Sequence, residues 1–251
     1  MKKRALLLFL SHQQNVQEMI LSAKYLQEKF NFEIISLYVR DIDIFIRPTF
    51  LLQKSLNGGI VDKNRRDAED KHIKKVSNLL ADYGILNPLT VELGIPEKLL
   101  LNFLKITDLL ILGSNLSLSE EITTLLKETY KPTFIIKDIP LCLDKIVVAS
   151  DDGIKINKSL FKFMNVFPEI DNYNILAYNS KKKQMILDVM EYKNKNYDFL
   201  SVNTMDTFCH EINKNTCLIM GNLSKSYFFK KITKRKGLDI MENIHLPIVI
   251  G

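Results

Sequence analysis

Cys217-Leu-Ile-Met-Gly221-Asn222 and, after a helical run, Leu246-Pro247-Ile-Val-Ile250 decide how this chain folds, because an earlier stretch reads the same way. Leu109-Leu-Ile-Leu-Gly113-Ser114-Asn115 is followed by a shorter helical run and then by Lys131-Pro132-Thr-Phe-Ile-Ile136. Each passage spells a buried strand, a glycine at its end, a helix, a proline and a second buried strand. Repeats of roughly 20–50 residues make solenoids and propellers, and this one is far longer, so it signals a whole domain copied once. A chain of 251 residues holds two such copies. We place the first at 1–140 and the second at 141–251, joined by the short linker Ile139-Pro140-Leu-Cys-Leu-Asp144.

Working outward from those passages, strand and helix alternate in both copies. Ala5 to Leu10 is a continuous apolar run, which suits a strand covered on both faces of a parallel sheet. Asn15 stands where a helix cap belongs, ahead of Val16, Met19, Ile20, Ala23, Leu26 and Phe30 at helical spacing. Phe32 to Val39 is the second strand, and Asp62 to Tyr83 is an amphipathic helix closed by Gly84. Leu89 to Leu93 is a third strand, and Pro96 opens the next helix at its tolerant first turn. Between the second strand and that first long helix, Ile42 to Leu52 is too apolar for a solvated loop and reads as a lid or contact surface. In copy two, strands at Lys145–Ser150, Tyr173–Tyr178, Asp198–Val202, Cys217–Met220 and Pro247–Ile250 repeat the order. The fold class is therefore α/β: two tandem open five-stranded parallel sheets with helices on both faces, built through right-handed crossovers.

Composition excludes several function classes. Hydrophobic residues at 46% and charged residues at 25% are those of a soluble globular protein. No run approaches the roughly 20 apolar residues that span a bilayer. The basic start Met1-Lys-Lys-Arg4 precedes only six apolar residues and no small-residue cleavage site, so it reads as a first strand and the protein as cytoplasmic. Cys142, Cys209 and Cys217 form no CxxC pair, and the four histidines include no i,i+4 pair, so no metal is expected. The net charge of +6 gathers in Lys181–Lys183 and in Lys230 to Lys236. Such short clusters read as solvated helix faces, and nucleic acid is not an expected partner.

With these elements in place, the chain resembles a tandem universal stress protein. Three features carry the resemblance: the strand-ending Asp151 of Ile146-Val-Val-Ala-Ser-Asp151; Leu93-Gly-Ile-Pro96 leading into a helix and then Asp108 to Ser114; and the closing strands Pro132–Ile136 and Pro247–Ile250. The resemblance covers essentially the whole chain and implies a Rossmann-like fold whose ligands sit beyond the carboxyl ends of the strands, where strand order reverses. It also implies an ATP site in many members, with a loop of Gly, two residues, Gly, nine residues, then Gly-Ser or Gly-Thr cradling the phosphates. Glycines are needed there because backbone N–H groups must come close to phosphate oxygens.

In copy two, Gly221 holds the first of those positions, but the later ones fall on Ser224, Lys234 and Arg235. The spacing from Gly221 to Pro247 is intact at 26 residues, whereas Gly113 to Pro132 is only 19. The aspartate that the resemblance places near the ribose is Asp151 in copy two and Ser11 in copy one. Copy one, with Ser11, Gly113 and Ser114, is expected to be a vestigial site that cannot hold ATP. For copy two, Asp151, Ala177, Gly221, Asn222, Ser224, Lys234 and Arg235 are the candidate nucleotide contacts, and either a filled pocket or a working site remains open. No cofactor is expected beyond ATP in copy two.

No nucleophile elbow, P-loop or assignable pair of carboxylates is present, so no catalytic residue is assigned. The expected function is that of a non-enzymatic stress-response or regulatory binding protein that does not depend on ATP. The alternative is a nucleotide-binding, slowly hydrolysing protein that uses only its C-terminal copy. The resemblance further implies that the last strands, Thr133–Ile136 and Pro247–Ile250, lie side by side within the chain and cover two sheet edges. A homodimer and an unidentified protein partner are the other associations this allows.

Overall fold

The structure, a computed structural model, describes residues 4–11, 15–41, 58–113, 131–150, 153–178, 185–221 and 244–251, without the side chains at 41 and 58–65. It divides into two compact units, Met1–Ile122 and Thr123–Gly251. Ser117 and Ser119, either of which the sequence offers as the cap of the helix after Gly113, the apolar segment Ile42 to Leu52 and the last helical run, Lys225 to Asn243, lie outside the described residues.

In the first unit β1 (Arg4–Leu10) leads to α1 (Val16–Phe30), β2 (Phe32–Asp41), α2 (Gly58–Asp82), β3 (Thr90–Gly94), α3 (Pro96–Leu104) and β4 (Leu109–Gly113). The strands are parallel in the order β3-β2-β1-β4, with Leu37 level with Thr90, Leu6 with Ile34, and Leu8 with Ile111. The unbroken apolar run of β1 is the physical reason it is central. Leu6, Leu7, Leu8 and Leu10 are fully buried, and each such side chain contributes about 2 kcal/mol relative to exposure. Asp108 ties the start of β4 to β1: its carboxylate accepts from the Ala5 N–H at 2.8 Å, while its own N–H donates to the Ala5 carbonyl at 2.7 Å.

Helix ends follow local chemistry. Gly84 takes φ +71°, the Gly84 N–H donates to Ala81 O, and the Ile85 N–H reaches back to Leu80 O, closing α2 with buried Ile85 against buried Leu80. Asn31 does the same service after α1 at φ 56°. Pro96 stands in the first turn of α3. The Asn15 side chain makes no capping hydrogen bond, contrary to expectation; its backbone carbonyl accepts from Met19 instead.

The second unit contains β5 (Thr133–Ile136), β6 (Ile146–Ser150), α4 (Ile154–Val166), β7 (Asn172–Tyr178), α5 (Met185–Tyr192), β8 (Asn196–Val202), α6 (Met205–Asn213), β9 (Cys217–Ile219) and β10 (Ile248–Ile250). Its strand order is β5-β10-β9-β6-β7-β8. All neighbours are parallel except β5 and β10, which run antiparallel with Ile135 opposite Ile248 and Thr133 opposite Ile250. The sheet is therefore mixed.

The expectation of two parallel five-stranded sheets is corrected accordingly: the units hold four and six described strands, and one pair is antiparallel. Packing explains where β5 falls. The Phe134 ring lies 5.9 Å from Phe167 edge-on and 6.3 Å from Phe163, and those two rings stack at 4.9 Å under α4. Lys137 donates to the Ile244 carbonyl, and His245 Nδ1 lies 2.7 Å from Asp138, bracing the same pair of strands.

Candidate functional site

In the second unit strand order reverses between β6 and β9, which is where an open α/β sheet parts its crossovers and leaves a crevice. Val148 is level with Ile219 and Ser150 with Ala177, so Ser150, Ala177 and Gly221 lie at the carboxyl ends of three neighbouring strands, Gly221 two residues past the end of β9. Ser150 and Ala177 are buried. Tyr178, the next residue, is 42% exposed and packs edge-on against Phe208 at 5.8 Å.

Helix α4 starts at this edge. Gly153 precedes it in extended backbone with no side-chain cap, and its first turn carries no acidic residue but does carry Lys155. The first-turn N–H groups and the positive end of the helix dipole favour an anion in such a place. Gly221 lies hard against that turn: a Cβ there would stand 3.3 Å from both the Ile156 nitrogen and Lys155 Cβ. The missing side chain thus admits the helix, and the room it leaves is already occupied by protein.

In the first unit the reversal falls between β1 and β4, ending at Ser11 and buried Gly113. The helix that starts there, α1, carries Glu18 in its first turn, a charge that opposes an anionic ligand. Of the residues expected at the two sites, the structure brings Ala177 and Gly221 to one edge and Ser11 and Gly113 to the other. Ser114, Asp151, Asn222, Ser224, Lys234 and Arg235 lie outside the described residues. Sequence reasoning missed Ser150, Lys155 and the Ile156 N–H. The available signal was a helix opening directly after Gly153 with a lysine and no acid in its first turn.

Among the described residues no group of three or more His, Cys, Asp or Glu could hold a metal ion, and no helix is long and apolar enough to cross a membrane. Burial pushes the Cys217 thiol well above its ordinary pKa, with Cys142 nearby adding to the effect, so it packs as an inert core residue.

No family model matches the sequence, and no curated protein matches it. Solved structures do match. A universal stress protein from Archaeoglobus fulgidus DSM 4304 aligns over 99% of this chain and 98% of its own, with TM-score 0.64 and 14% identity. The fold is that of the universal stress proteins. A putative universal stress protein from Pseudomonas aeruginosa UCBPP-PA14 aligns over 99% of this chain and 92% of its own, at TM-score 0.50 and 9% identity. Within the universal-stress-protein fold, the Ser150–Ala177–Gly221 edge is a strand-order reversal beside the start of a helix, and it is the candidate site.

Proposed function

We propose that this chain is a universal-stress-protein-like regulatory binding protein that works through its surfaces, without catalysis and without dependence on ATP. The observation that carries this reading is the closeness of Gly221 to the first turn of α4, where a Cβ on the glycine would come within 3.3 Å of the Ile156 nitrogen. A glycine packed on the start of a helix has a structural reason to be glycine without a phosphate, and in the sequence Ser224, Lys234 and Arg235 replace the remaining residues of the expected cradle. The test is a thermal melt with ATP and magnesium. A micromolar site would gain about 4 kcal/mol at millimolar ATP, several degrees in Tm. The expected result is no shift.

A second reading, nucleotide binding by the second unit alone, is favoured by the uncapped, acid-free start of α4 with Lys155, and by half-exposed Tyr178 as a surface for a base. A clear rise in Tm with ATP that is lost in Lys155→Glu would replace the first reading with this one. A homodimer or another protein is the partner class the first reading requires. Sedimentation of the purified chain against concentration tests the dimer.

A further inference from the structure

A cleft of about 710 Å³ opens in the second unit at the amino ends of β6, β7 and β8, the end opposite the Ser150–Ala177–Gly221 edge. Two registered strands supply one wall. Asn172 is opposite Asn196, Asn174 opposite Asp198, and Leu176 opposite Leu200, so all six fall on one face by the two-residue period. Asparagine and aspartate are depleted in strands, yet they fill four adjacent places here. The end of α6 closes the other side with Asn215 and the Lys214–Glu211 ion pair.

The amides are held in a fixed arrangement. Asn196 Nδ2 donates to Asn172 Oδ1 at 3.1 Å, and Asn174 Nδ2 donates to Asn215 Oδ1 at 2.6 Å. Asn215 Nδ2 in turn donates to the Glu211 and Ile212 carbonyls, anchoring the chain of amides to the last turn of α6. Among the described residues this leaves both Asn172 Nδ2 hydrogens, the Oδ1 atoms of Asn174 and Asn196, and the whole Asp198 carboxylate without a partner, a few ångströms of strand apart. Donors and acceptors that alternate at such short spacing match groups able to play either role, and the hydroxyl is that group.

Charge and shape narrow the class. Asp144, Asp198 and Glu211 outweigh Lys145 and Lys214 in the lining, so an anion meets net repulsion. Leu200, 46% exposed, offers an apolar patch against which the C–H face of a ring can lie. The volume lies in the range of small-molecule sites, and the preset amides lower the ordering cost of binding.

We propose that this cleft binds a neutral polyhydroxylated small molecule, of the size and kind of a monosaccharide or cyclitol. The proposal is independent of whether the carboxyl-end edge takes a nucleotide.

The test is a titration of the full-length, isotope-labelled chain with D-glucose, D-ribose and myo-inositol at millimolar concentration, with ribose 5-phosphate as the anionic control. The side-chain amide resonances of Asn172, Asn174 and Asn215 report the site. At least one neutral probe is expected to shift them saturably, the phosphate to leave them unmoved, and Asp198→Ala to weaken the response by about tenfold or more. Asp198 is exposed and its side chain makes no hydrogen bond or ion pair among the described residues, so that variant is expected to keep its fold, which its backbone spectrum verifies. Absence of saturable shifts with all three neutral probes, a stronger response to the phosphate, or shifts indifferent to Asp198→Ala would each overturn the proposal.

Discussion

The two units start from the same plan and differ where their first helices meet the carboxyl edge. Each has a central apolar strand, β1 or β6, and each secures it from the residue just before the fourth strand of the repeat. Asp108 does so in the first unit by gripping Ala5, and Thr216 in the second by gripping Lys145, its N–H donating to the Lys145 carbonyl at 2.8 Å and its Oγ1 accepting from the Lys145 N–H at 3.0 Å. Beyond that clasp they diverge. Helix α1 opens with Glu18, and its Lys24 pairs with Glu28 at 3.4 Å; α4 opens with Lys155 and carries Lys158 and Lys162 one turn apart. The same scaffold thus supports opposite electrostatics at equivalent places, which teaches that fold alone does not carry the ligand site.

Substitutions in both units break or sharpen that comparison. The largest effect is expected from Phe163→Ala, which removes the ring that joins Phe134, Phe167 and Tyr173. It should cost about 3–5 kcal/mol in urea melts and loosen the second unit before the first by hydrogen exchange. A loss confined to the first unit would mean that the aromatic cluster does not brace the second. Gly221→Val should follow, at about 1–3 kcal/mol from overpacking, with amide shifts centred on Lys155 and Ile156. Wild-type stability in that variant would show that α4 does not press on the end of β9.

The clasp itself comes next. Asp108→Ala should cost about 1.5–3 kcal/mol, because a charged acceptor is lost, and Thr216→Ala about 0.5–1.5 kcal/mol. Equal losses would remove the distinction between the two clasps.

The smallest effect concerns Lys162. Burial, with Lys158 adjacent, lowers its pKa to about 8 from the ordinary 10.5. The unfolded chain then binds more protons than the native one between pH 8 and 10.5, so stability should rise with pH across that window and the penalty should be fully present below it. Lys162 is only half-buried, so solvent screening holds the gain to on the order of 1 kcal/mol or less. Lys162→Met should flatten this rise, measured as chemical denaturation at both ends of the window. An unchanged slope would assign the rise to another group.

Much of the fold was legible because its signals are local. The unbroken run Leu6–Leu10, the stop at Gly84 and the start at Pro96 each announce an element by the chemistry of a few adjacent residues. Non-local pairing was legible only through the family resemblance, which set Thr133–Ile136 beside Pro247–Ile250 as the structure has them, and its direction was not legible at all. Nothing adjacent to Thr133–Ile136 says that it runs antiparallel to Ile248–Ile250, or that Phe134 belongs with Phe163 and Phe167, residues some thirty positions on. Strand β8 begins at Asn196, two residues before the expected Asp198, because pairing with β7 carries two polar residues, Asn196 and Tyr197, into the strand, where Asn196 lines the cleft. At the candidate site Gly221 was legible as a strand end, but its engagement with α4 depends on a helix 65 residues earlier in the chain.

The antiparallel meeting of β5 and β10 bears on how the molecule can be taken apart. Sequence symmetry invites a cut at the linker near Pro140, yet such a cut would strip the C-terminal fragment of a strand and one wall of its aromatic core while leaving that strand without its neighbour. A dissection that keeps Thr133–Ile136 with the second unit leaves the rings of Phe134, Phe163, Phe167 and Tyr173 together. The boundary suggested by the sequence repeat and the boundary between the compact units are offset by one β-strand, and fragment studies have to follow the second.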